Sequence, residues 1–188
     1  MPFSQSSQLS AIMGYIEQSN PRSLLDVGVG MGQYGFLSRT NLEFLNLFEV
    51  NGDEGRQRPK EQWKVRIDGI EAYETYITPV HEYVYNTLHI GNALDILPTI
   101  ENNQYEMVIA IDILEHFEKA EGLHFLEALK RVSSGQVLIS TPNEFHPQEI
   151  EANPFENHRS YWSREALSSA GFDHFLENEE SWVAIYKG

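Results

Sequence analysis

Three glycines alternate with other residues just after a short apolar segment, in the run Asp26-Val27-Gly28-Val29-Gly30-Met31-Gly32. Glycine lets the backbone turn tightly and lets a ligand approach without a Cβ atom in the way. The residues that follow predict a helix, and the free N–H groups and positive dipole end at a helix start attract polar or anionic ligand groups. The run therefore predicts a cofactor-binding turn. A tight turn that binds nothing is the alternative.

A dinucleotide-binding fingerprint overlaps the same run. The residues Gly30-Met31-Gly32-Gln33-Tyr34-Gly35 match the pattern G-x-G-x-x-G. Asp26 weakens the match, because an acid at the end of the strand repels a pyrophosphate and suits an ammonium group. Gly28 weakens it as well, because this residue already stands where the fingerprint should begin. A nicotinamide-dependent oxidoreductase is therefore the less favoured enzyme class.

The spacing of Asp26, Gly28, Gly30 and Gly32 resembles motif I of the class I S-adenosylmethionine-dependent methyltransferases. The resemblance implies that these four residues bind S-adenosyl-L-methionine. In that family the start of the following helix faces the amino-acid part of the cofactor, where an acid suits the ammonium group. The order and spacing of the motifs extend the resemblance over residues 23–187.

The acid that ends the second predicted strand is the candidate for binding the ribose. In Ile67-Asp68-Gly69-Ile70-Glu71 the last residue matches the family's acid. The resemblance implies that Glu71 accepts hydrogen bonds from both ribose hydroxyls, as a carboxylate can. Such an acid usually follows the glycines by about 20 residues, and the polar residues 51–61 explain the longer distance here. Asp68 is the alternative, but it lies in the middle of the strand.

The stretch Gly91-Asn92-Ala93 follows the third predicted strand, where the family usually has an acid that recognises the adenine amine. Asn92 departs from that pattern, although its side-chain oxygen can accept the same hydrogen bond. The resemblance assigns Asn92 and Ala93 to the cofactor. Asp95 is the alternative to Asn92.

The run Asp112-Ile113-Leu114-Glu115-His116-Phe117 follows the fourth predicted strand. It resembles a stretch that is common in small-molecule methyltransferases, and Asp112 is by this resemblance a contact of the cofactor or the acceptor. Glu115 and His116 are expected to cap and brace the next helix. The segments Trp63-Lys64 and Tyr76-Ile77-Thr78-Pro79 further resemble a bacterial subgroup of methyltransferase-like proteins, which leaves the methyl acceptor open.

Residues 141–162, which follow the fifth predicted strand, form a long irregular stretch interrupted by prolines. Ligands of open α/β sheets bind outside the carboxyl ends of the strands, so this stretch is predicted to be an acceptor lid. Its aromatic residues Phe155, Tyr161 and Trp162 are predicted to shape an apolar pocket.

His158 is the candidate general base, because an unperturbed imidazole titrates near neutral pH. The alternative is that His158 and Arg159 only hold the lid in place through hydrogen bonds. His81 and His124 are interpreted as helix-surface residues. No metal-ligand spacing stands out around His146 and His158, so no metal site is expected.

Strand and helix patterns alternate five times along the chain. Strands are predicted at 23–27, 63–71, 87–90, 105–111 and 136–140, and helices at 6–18, 33–45, 79–85, 94–100 and 117–132. A short helix at 164–170 and a strand pair at 174–177 and 182–187 follow. Because such alternation implies a parallel sheet and a short turn joins antiparallel strands, we predict a Rossmann-like α/β fold. Its seven-stranded, mostly parallel sheet has helices on both faces and an antiparallel last strand beside the fifth.

Composition limits the partners. The chain carries 28 acids against 13 bases, a net charge of -15, which disfavours nucleic acids and anionic membrane surfaces. It has no cysteine, which excludes a cysteine nucleophile and fits a reducing cytoplasm. Residues 1–7 lack the pattern of a signal peptide, and the longest apolar run, at 107–111, is too short to span a bilayer.

These observations predict a single methyltransferase domain over residues 1–188, with an N-terminal helical region at 1–20. The expected reaction transfers a methyl group from S-adenosyl-L-methionine to O or N of a small-molecule acceptor. A methyltransferase-like binding module without catalysis is the alternative, because methyl transfer requires no signature residue. A nicotinamide-dependent oxidoreductase is less favoured.

Overall fold

The computed structural model describes residues 4–188. Residues 1–3 lie outside the described part. They belong to two segments considered in the sequence analysis: the expected helical region at 1–20 and residues 1–7, which lack a signal-peptide pattern. The strands are β1 Ser23–Val27, β2 Phe48–Asn51, β3 Glu54–Gln57, β4 Arg66–Glu71, β5 Thr87–Ile90, β6 Tyr105–Ile111, β7 Ser133–Pro142, β8 His174–Leu176 and β9 Ser181–Lys187. The α-helices are α1 Leu9–Ser19, α2 Gln33–Glu43, α3 Pro79–Val84, α4 Ala93–Ile96, α5 Lys119–Val132 and α6 Arg164–Ser169.

Seven of these strands form one sheet in the order β5-β4-β1-β6-β7-β9-β8. Neighbouring strands from β5 to β7 are parallel, whereas β9 is antiparallel to both β7 and β8. Within residues 4–188, β9 is thus the strand that runs against the rest of this sheet. The predicted fold class, including the antiparallel strand beside the fifth of the parallel series, is confirmed.

Side chains of the central strands alternate between two cores, one on each face of the sheet. Leu25 on β1 faces the core that helices α4, α5 and α6 cover, whereas Leu24 faces the core under α1, α2 and α3. Helix α1 contributes Ile12 and Ile16, which are four residues apart and therefore share one face of the helix. Both faces of the sheet are covered by helices, as the alternation of elements predicts.

The segment at 51–61, predicted to be an exposed insertion, is partly ordered as a hairpin. Strands β2 and β3 pair antiparallel through a turn in which Gly52 adopts a φ of 63°. All four residues of β3 are exposed, so apolar patterning gave no sign of these strands. The β7 strand is longer than predicted at both ends, because Ser133 pairs with Tyr105 on β6 and the pairing with β9 continues to Pro142.

In the described range 4–188, no helix is both long and apolar enough to cross a membrane.

Candidate functional site

A cavity of about 500 Å³ opens at the carboxyl ends of the parallel strands. It brings together most of the predicted site residues, which lie far apart in the sequence. Those that line it are Asp26, Gly28, Gly30, Glu71, Asn92, Ala93, Asp112 and His158. Gly32 does not line the cavity; it is the residue that caps the start of α2.

The glycine turn between β1 and α2 needs its glycines for backbone geometry. Gly28, Gly30 and Gly32 have φ angles of 77°, 52° and 79°, in the left-handed region that favours glycine. A Cβ atom on Gly28 would lie 2.1 Å from Cδ1 of Ile113. The turn is also tied to β4, because the N–H of Gly28 donates to the carbonyl of Ile70 at 2.8 Å. The backbone thus follows the cavity wall without side chains in the way.

Asp26, near the end of β1, is buried beneath the turn. The hydroxyl of Tyr85 donates to its Oδ2 at 2.7 Å. Burial raises the pKa of the Asp26 carboxyl to about 7; the hydrogen bond from Tyr85 opposes this shift, and the nearby charge of Glu71 adds to it. A positively charged ligand group beside Asp26 would favour its ionised form.

Glu71 ends β4 and is buried at the same edge of the cavity. Its two oxygens accept hydrogen bonds from the N–H groups of Gly30 and Tyr73, each at 2.9 Å. Burial raises the pKa of Glu71, and these two donors oppose the shift. Each carboxylate oxygen can accept a further hydrogen bond, so the residue can still hold a diol.

Asp68 is buried away from the cavity, in a local network. It accepts hydrogen bonds from the hydroxyl of Tyr105 and from the side chain of Arg66, both at 2.7 Å. The N–H of Thr87 donates to it as well. Of the two acids on β4, Glu71 is therefore the one that faces the cavity.

His81, predicted to lie on a helix surface, is buried; that interpretation was wrong. Its Nδ1 accepts the N–H of Thr78 at 3.1 Å, so its Nε2 carries the proton and donates to the carbonyl of Gly30 at 2.9 Å. His81 thereby connects the start of α3 to the glycine turn. The feature of the sequence that could have indicated this is the Thr78-Pro79 pair, which is typical of a helix start. In such a start the side chain at the third helical position, here His81, often bonds to the backbone of the capping residue.

Asn92 caps the short helix α4. Its Oδ1 accepts the N–H of Leu94 at 2.9 Å, which leaves the amide NH2 and a second lone pair of the oxygen for other partners. Ala93 follows it in the cavity wall. The alternative, Asp95, is exposed and does not line the cavity.

Asp112 follows β6 with a φ of 54°, a conformation that is uncommon outside glycine. Its carboxylate accepts hydrogen bonds from Oγ of Ser140 and Nε2 of Gln8, each at 2.7 Å. Gln8 was not predicted as part of the site. Gln8 lies one helical turn before Ile12, on the side of the helix that faces the core. A polar residue at that position was the feature of the sequence that could have indicated a role in the site.

Glu115 is 4% exposed and lines the cavity. Burial raises its pKa well above the ordinary value, and the charge of Asp112 adds to the shift. Its side chain accepts the hydroxyl of Thr141 at 3.0 Å, and its carbonyl accepts the N–H groups of Arg159 and Ser160 at 2.8 and 3.1 Å. Glu115 therefore braces the lid segment. It does not cap α5, whose N-cap is Glu118.

The irregular segment predicted to be a lid forms one wall of the cavity. His158 lines the cavity, and its Nδ1 lies 2.5 Å from the carbonyl oxygen of His146. The segment is also held on its other side, where the hydroxyl of Tyr76 donates to Glu156 at 2.9 Å. Arg159 lines the cavity as well.

The three lid aromatics do not form one pocket, and for two of them the prediction was wrong. Phe155 lines the cavity, whereas Tyr161 is exposed outside it. Trp162 is fully buried in the core, where its ring fills the space above Gly122. A large ring that meets a glycine on α5 gains more from burial there than from an open cavity wall.

Acidic side chains predominate in the cavity wall. Six of them line it, and Arg159 supplies the one permanent positive charge among its described lining residues. The acids are Asp26, Glu71, Asp112, Glu115, Glu121 and Glu156. In their ionised forms these acids attract a cation and repel a phosphate-rich ligand.

No protein-family model and no curated protein matches the sequence. Solved structures do match the fold. A protein from Pyrococcus horikoshii OT3 is 17% identical with a TM-score of 0.62, over 96% of this chain and 87% of that one. An S-adenosylmethionine-dependent methyltransferase from Aquifex aeolicus is 18% identical with a TM-score of 0.58, over 97% and 94%.

A third structure is magnesium protoporphyrin IX methyltransferase from Synechocystis PCC 6803, solved with bound S-adenosylmethionine. It is 13% identical with a TM-score of 0.57, over 96% of this chain and 77% of that one. At these identities, the matches establish the arrangement of strands and helices. The chain has the fold of the class I S-adenosylmethionine-dependent methyltransferases.

Proposed function

We propose that the protein is an S-adenosylmethionine-dependent methyltransferase that acts on O or N of a small-molecule acceptor. The observation that carries the proposal is the set of buried acids beside the glycine turn. Asp26 and Glu71 lie there, and the one lysine or arginine among the described residues of the cavity wall is Arg159, in the lid segment. A pyrophosphate would be repelled by these carboxylates, whereas an ammonium group and a ribose diol suit them.

The residues of the wall fit this cofactor one by one. Asp26 would bind the ammonium group, and Glu71 the ribose hydroxyls. Asn92 and Ala93 would contact the adenine, and Asp112 the methionine end. Gly28 and Gly30 would let the backbone approach, and Gly32 would start the helix behind them.

Two polar atoms of the cavity wall support a polar ligand. The Tyr34 hydroxyl and the Gln5 side-chain oxygen are buried, line the cavity and have no hydrogen-bond partner within the described residues. Burying such groups without a partner costs roughly 1–3 kcal/mol each. A ligand that reaches them would remove that cost.

When bound, the cofactor supplies an electrophilic methyl group, and the protein supplies alignment and exclusion of water. The lid at 141–162 would cover the acceptor, because it closes the cavity next to Asp112. Phe155 offers the acceptor an apolar contact, and Arg159 offers an orienting charge.

His158 is the candidate group to accept a proton from the acceptor. The carbonyl of His146 can only accept a hydrogen bond, so Nδ1 of His158 must donate. In the neutral ring, Nε2 then carries the lone pair. A general base positioned in this way typically contributes 10²–10⁴-fold to a rate.

Calorimetry with S-adenosylhomocysteine and with NADH tests the cofactor. We expect S-adenosylhomocysteine to bind and NADH not to bind. Binding of NADH without binding of S-adenosylhomocysteine would contradict the proposal. The acceptor is then sought by screening sugars, small acids, amines and peptides for release of S-adenosylhomocysteine, and release with a defined acceptor distinguishes an enzyme from a binding module.

A further inference from the structure

Two segments that are distant in sequence bring a carboxylate and two imidazoles together in the cavity wall. Glu115 and His116 lie in the turn after β6, and His158 lies in the lid. One ligand atom from each residue lies within 4.8 Å of the others. All three residues line the cavity, and both histidines are half-buried.

Backbone carbonyls hold both imidazoles in the same tautomer. Nδ1 of His116 lies 3.3 Å from the carbonyl oxygen of Asn157, and Nδ1 of His158 lies 2.5 Å from that of His146. A carbonyl accepts only, so each Nδ1 carries the proton and each Nε2 is left with its lone pair. Metal-binding histidines are oriented in this way, with the other ring nitrogen donating to a carbonyl or carboxylate.

The two segments are also fixed to each other. The carbonyl of Glu115 accepts the N–H groups of Arg159 and Ser160, which flank His158 on its C-terminal side. Thr141 orients the Glu115 carboxylate through its hydroxyl. Ligands around one ion at bond lengths of about 2.0–2.2 Å lie roughly 3–4 Å apart, so ligand atoms within 4.8 Å of one another need to approach by about 1–2 Å at most.

We propose that Glu115, His116 and His158 bind one divalent transition-metal ion. Two imidazoles and one carboxylate form a ligand set that suits Zn²⁺, Fe²⁺, Co²⁺ or Mn²⁺ better than Mg²⁺ or Ca²⁺, which prefer oxygen ligands alone. Three protein ligands leave coordination positions open, and here they open toward the cavity.

The metal site also limits the class of acceptor, an inference that rests on the proposed function. An open position on the ion would bind a hydroxyl oxygen of the acceptor and lower its pKa, and the hydroxyl proton would leave to water. Methyl transfer then forms the new C–O bond as the C–S bond breaks, with its electron pair remaining on sulfur. In the metal-loaded protein, His158 is a ligand and not the base, and the acceptor atom is oxygen.

Metal titration of the full chain tests the site directly. The protein is stripped with a chelator and titrated with Mn²⁺, with free Mn²⁺ measured by electron paramagnetic resonance, and with Zn²⁺ in competition with a chromophoric chelator. We expect one ion per chain. His116→Ala and His158→Ala should each weaken binding at least tenfold, whereas His124→Ala, on the exposed face of α5, should not.

Glu115→Gln is a third variant, and its circular-dichroism melting curve shows whether it folds. The histidine variants keep the test decisive if it does not. Absence of binding below millimolar Mn²⁺ and Zn²⁺, or binding that is unchanged in both His116→Ala and His158→Ala, would overturn the proposal. Calorimetry with S-adenosylhomocysteine on the same samples reports on the cofactor separately, so failure of the metal site and failure of the proposed function are distinguishable.

Discussion

The hydroxyl of Tyr85 donates a hydrogen bond to the carboxylate of Asp26 at 2.7 Å beneath the glycine turn. Both side chains are buried. Gly35 on α2 makes room for the pair, because a Cβ atom there would lie 2.2 Å from the tyrosine oxygen. An acid is thus kept beside the glycine turn with only neutral donors, the Tyr85 hydroxyl and the backbone N–H of Gly35, as its partners. Its charge state therefore depends on what else binds there.

We predict that S-adenosylhomocysteine binds more tightly as the pH rises through neutrality. The pKa of Asp26 is raised by burial to about 7, so the carboxyl that we propose pairs with the ligand's ammonium group is mostly protonated at pH 6 and mostly ionised at pH 8. The affinity should increase about tenfold between these values. 5′-Methylthioadenosine, which lacks the amino-acid part, is the matched control and should show little change. Equal affinity of S-adenosylhomocysteine at both pH values would contradict the prediction.

Tyr85→Phe should move this pH dependence upward. The variant removes a donor that favours the ionised form of Asp26, so the pKa of the carboxyl should rise further. We expect the midpoint of the affinity change to shift by about one pH unit. Tyr83→Phe is the control, because the Tyr83 ring packs against Trp63 and not against Asp26. An unchanged midpoint in Tyr85→Phe would mean that the hydrogen bond does not set the charge of Asp26.

The two acids of β4 should respond differently to loss of charge. Glu71→Gln should weaken binding of S-adenosylhomocysteine by about 10–100-fold, the effect of losing hydrogen bonds to a charged acceptor. Asp68→Asn should leave that affinity unchanged and lower the free energy of unfolding by about 1–3 kcal/mol, because its buried carboxylate holds Tyr105 and Arg66. Calorimetry and urea denaturation measure the two effects, and a reversed pattern would refute the assignment of the ribose to Glu71.

The parts of the fold that the sequence predicted are those with a strong local pattern. β1, β5 and β6 have the predicted bounds because each is a compact run of strand-forming residues between clear breaks. The glycine turn could be predicted because its spacing reflects a backbone requirement, and Glu71 because it is the acid that ends the second predicted strand.

The parts that were wrong or missed depend on contacts between distant segments. Trp162 is buried because Gly122, forty positions earlier, leaves space for its ring, and His81 is buried because its Nε2 reaches the carbonyl of Gly30. The cluster of Glu115, His116 and His158 has no regular spacing, since the lid returns to the end of β6 through backbone hydrogen bonds. Periodicity within one segment carries no information on such pairings.

Gly28→Ala should impair both stability and cofactor binding. The residue has a φ of 77°, and the new Cβ would lie 2.1 Å from Ile113. We expect the free energy of unfolding to fall by about 1–3 kcal/mol and the affinity for S-adenosylhomocysteine to fall at least tenfold. Gly14→Ala is the matched control: on α1 the added Cβ would meet no atom within 4 Å apart from the backbone of its own helix, so the variant should be more stable by about 0.5–1 kcal/mol. Similar effects of the two substitutions on stability and binding would show that the turn tolerates a side chain.

The role of His158 in methyl transfer is tested with His158→Ala, once an acceptor has been found. In the proposed site, the lone pair of Nε2 would act on the acceptor side of the cavity, as a base or as a metal ligand, and the cofactor would bind mainly at β1 and β4. Turnover should therefore fall by about 10²-fold or more, while the affinity for S-adenosylhomocysteine stays within about twofold of the wild type. His124→Ala should change neither quantity. Full turnover of His158→Ala across neutral pH would make this histidine structural, because its remaining contact, from Nδ1 to the carbonyl of His146, only holds the lid. That result would not contradict the prediction that residues 141–162 cover the acceptor. An acceptor analogue found bound away from these residues would contradict it.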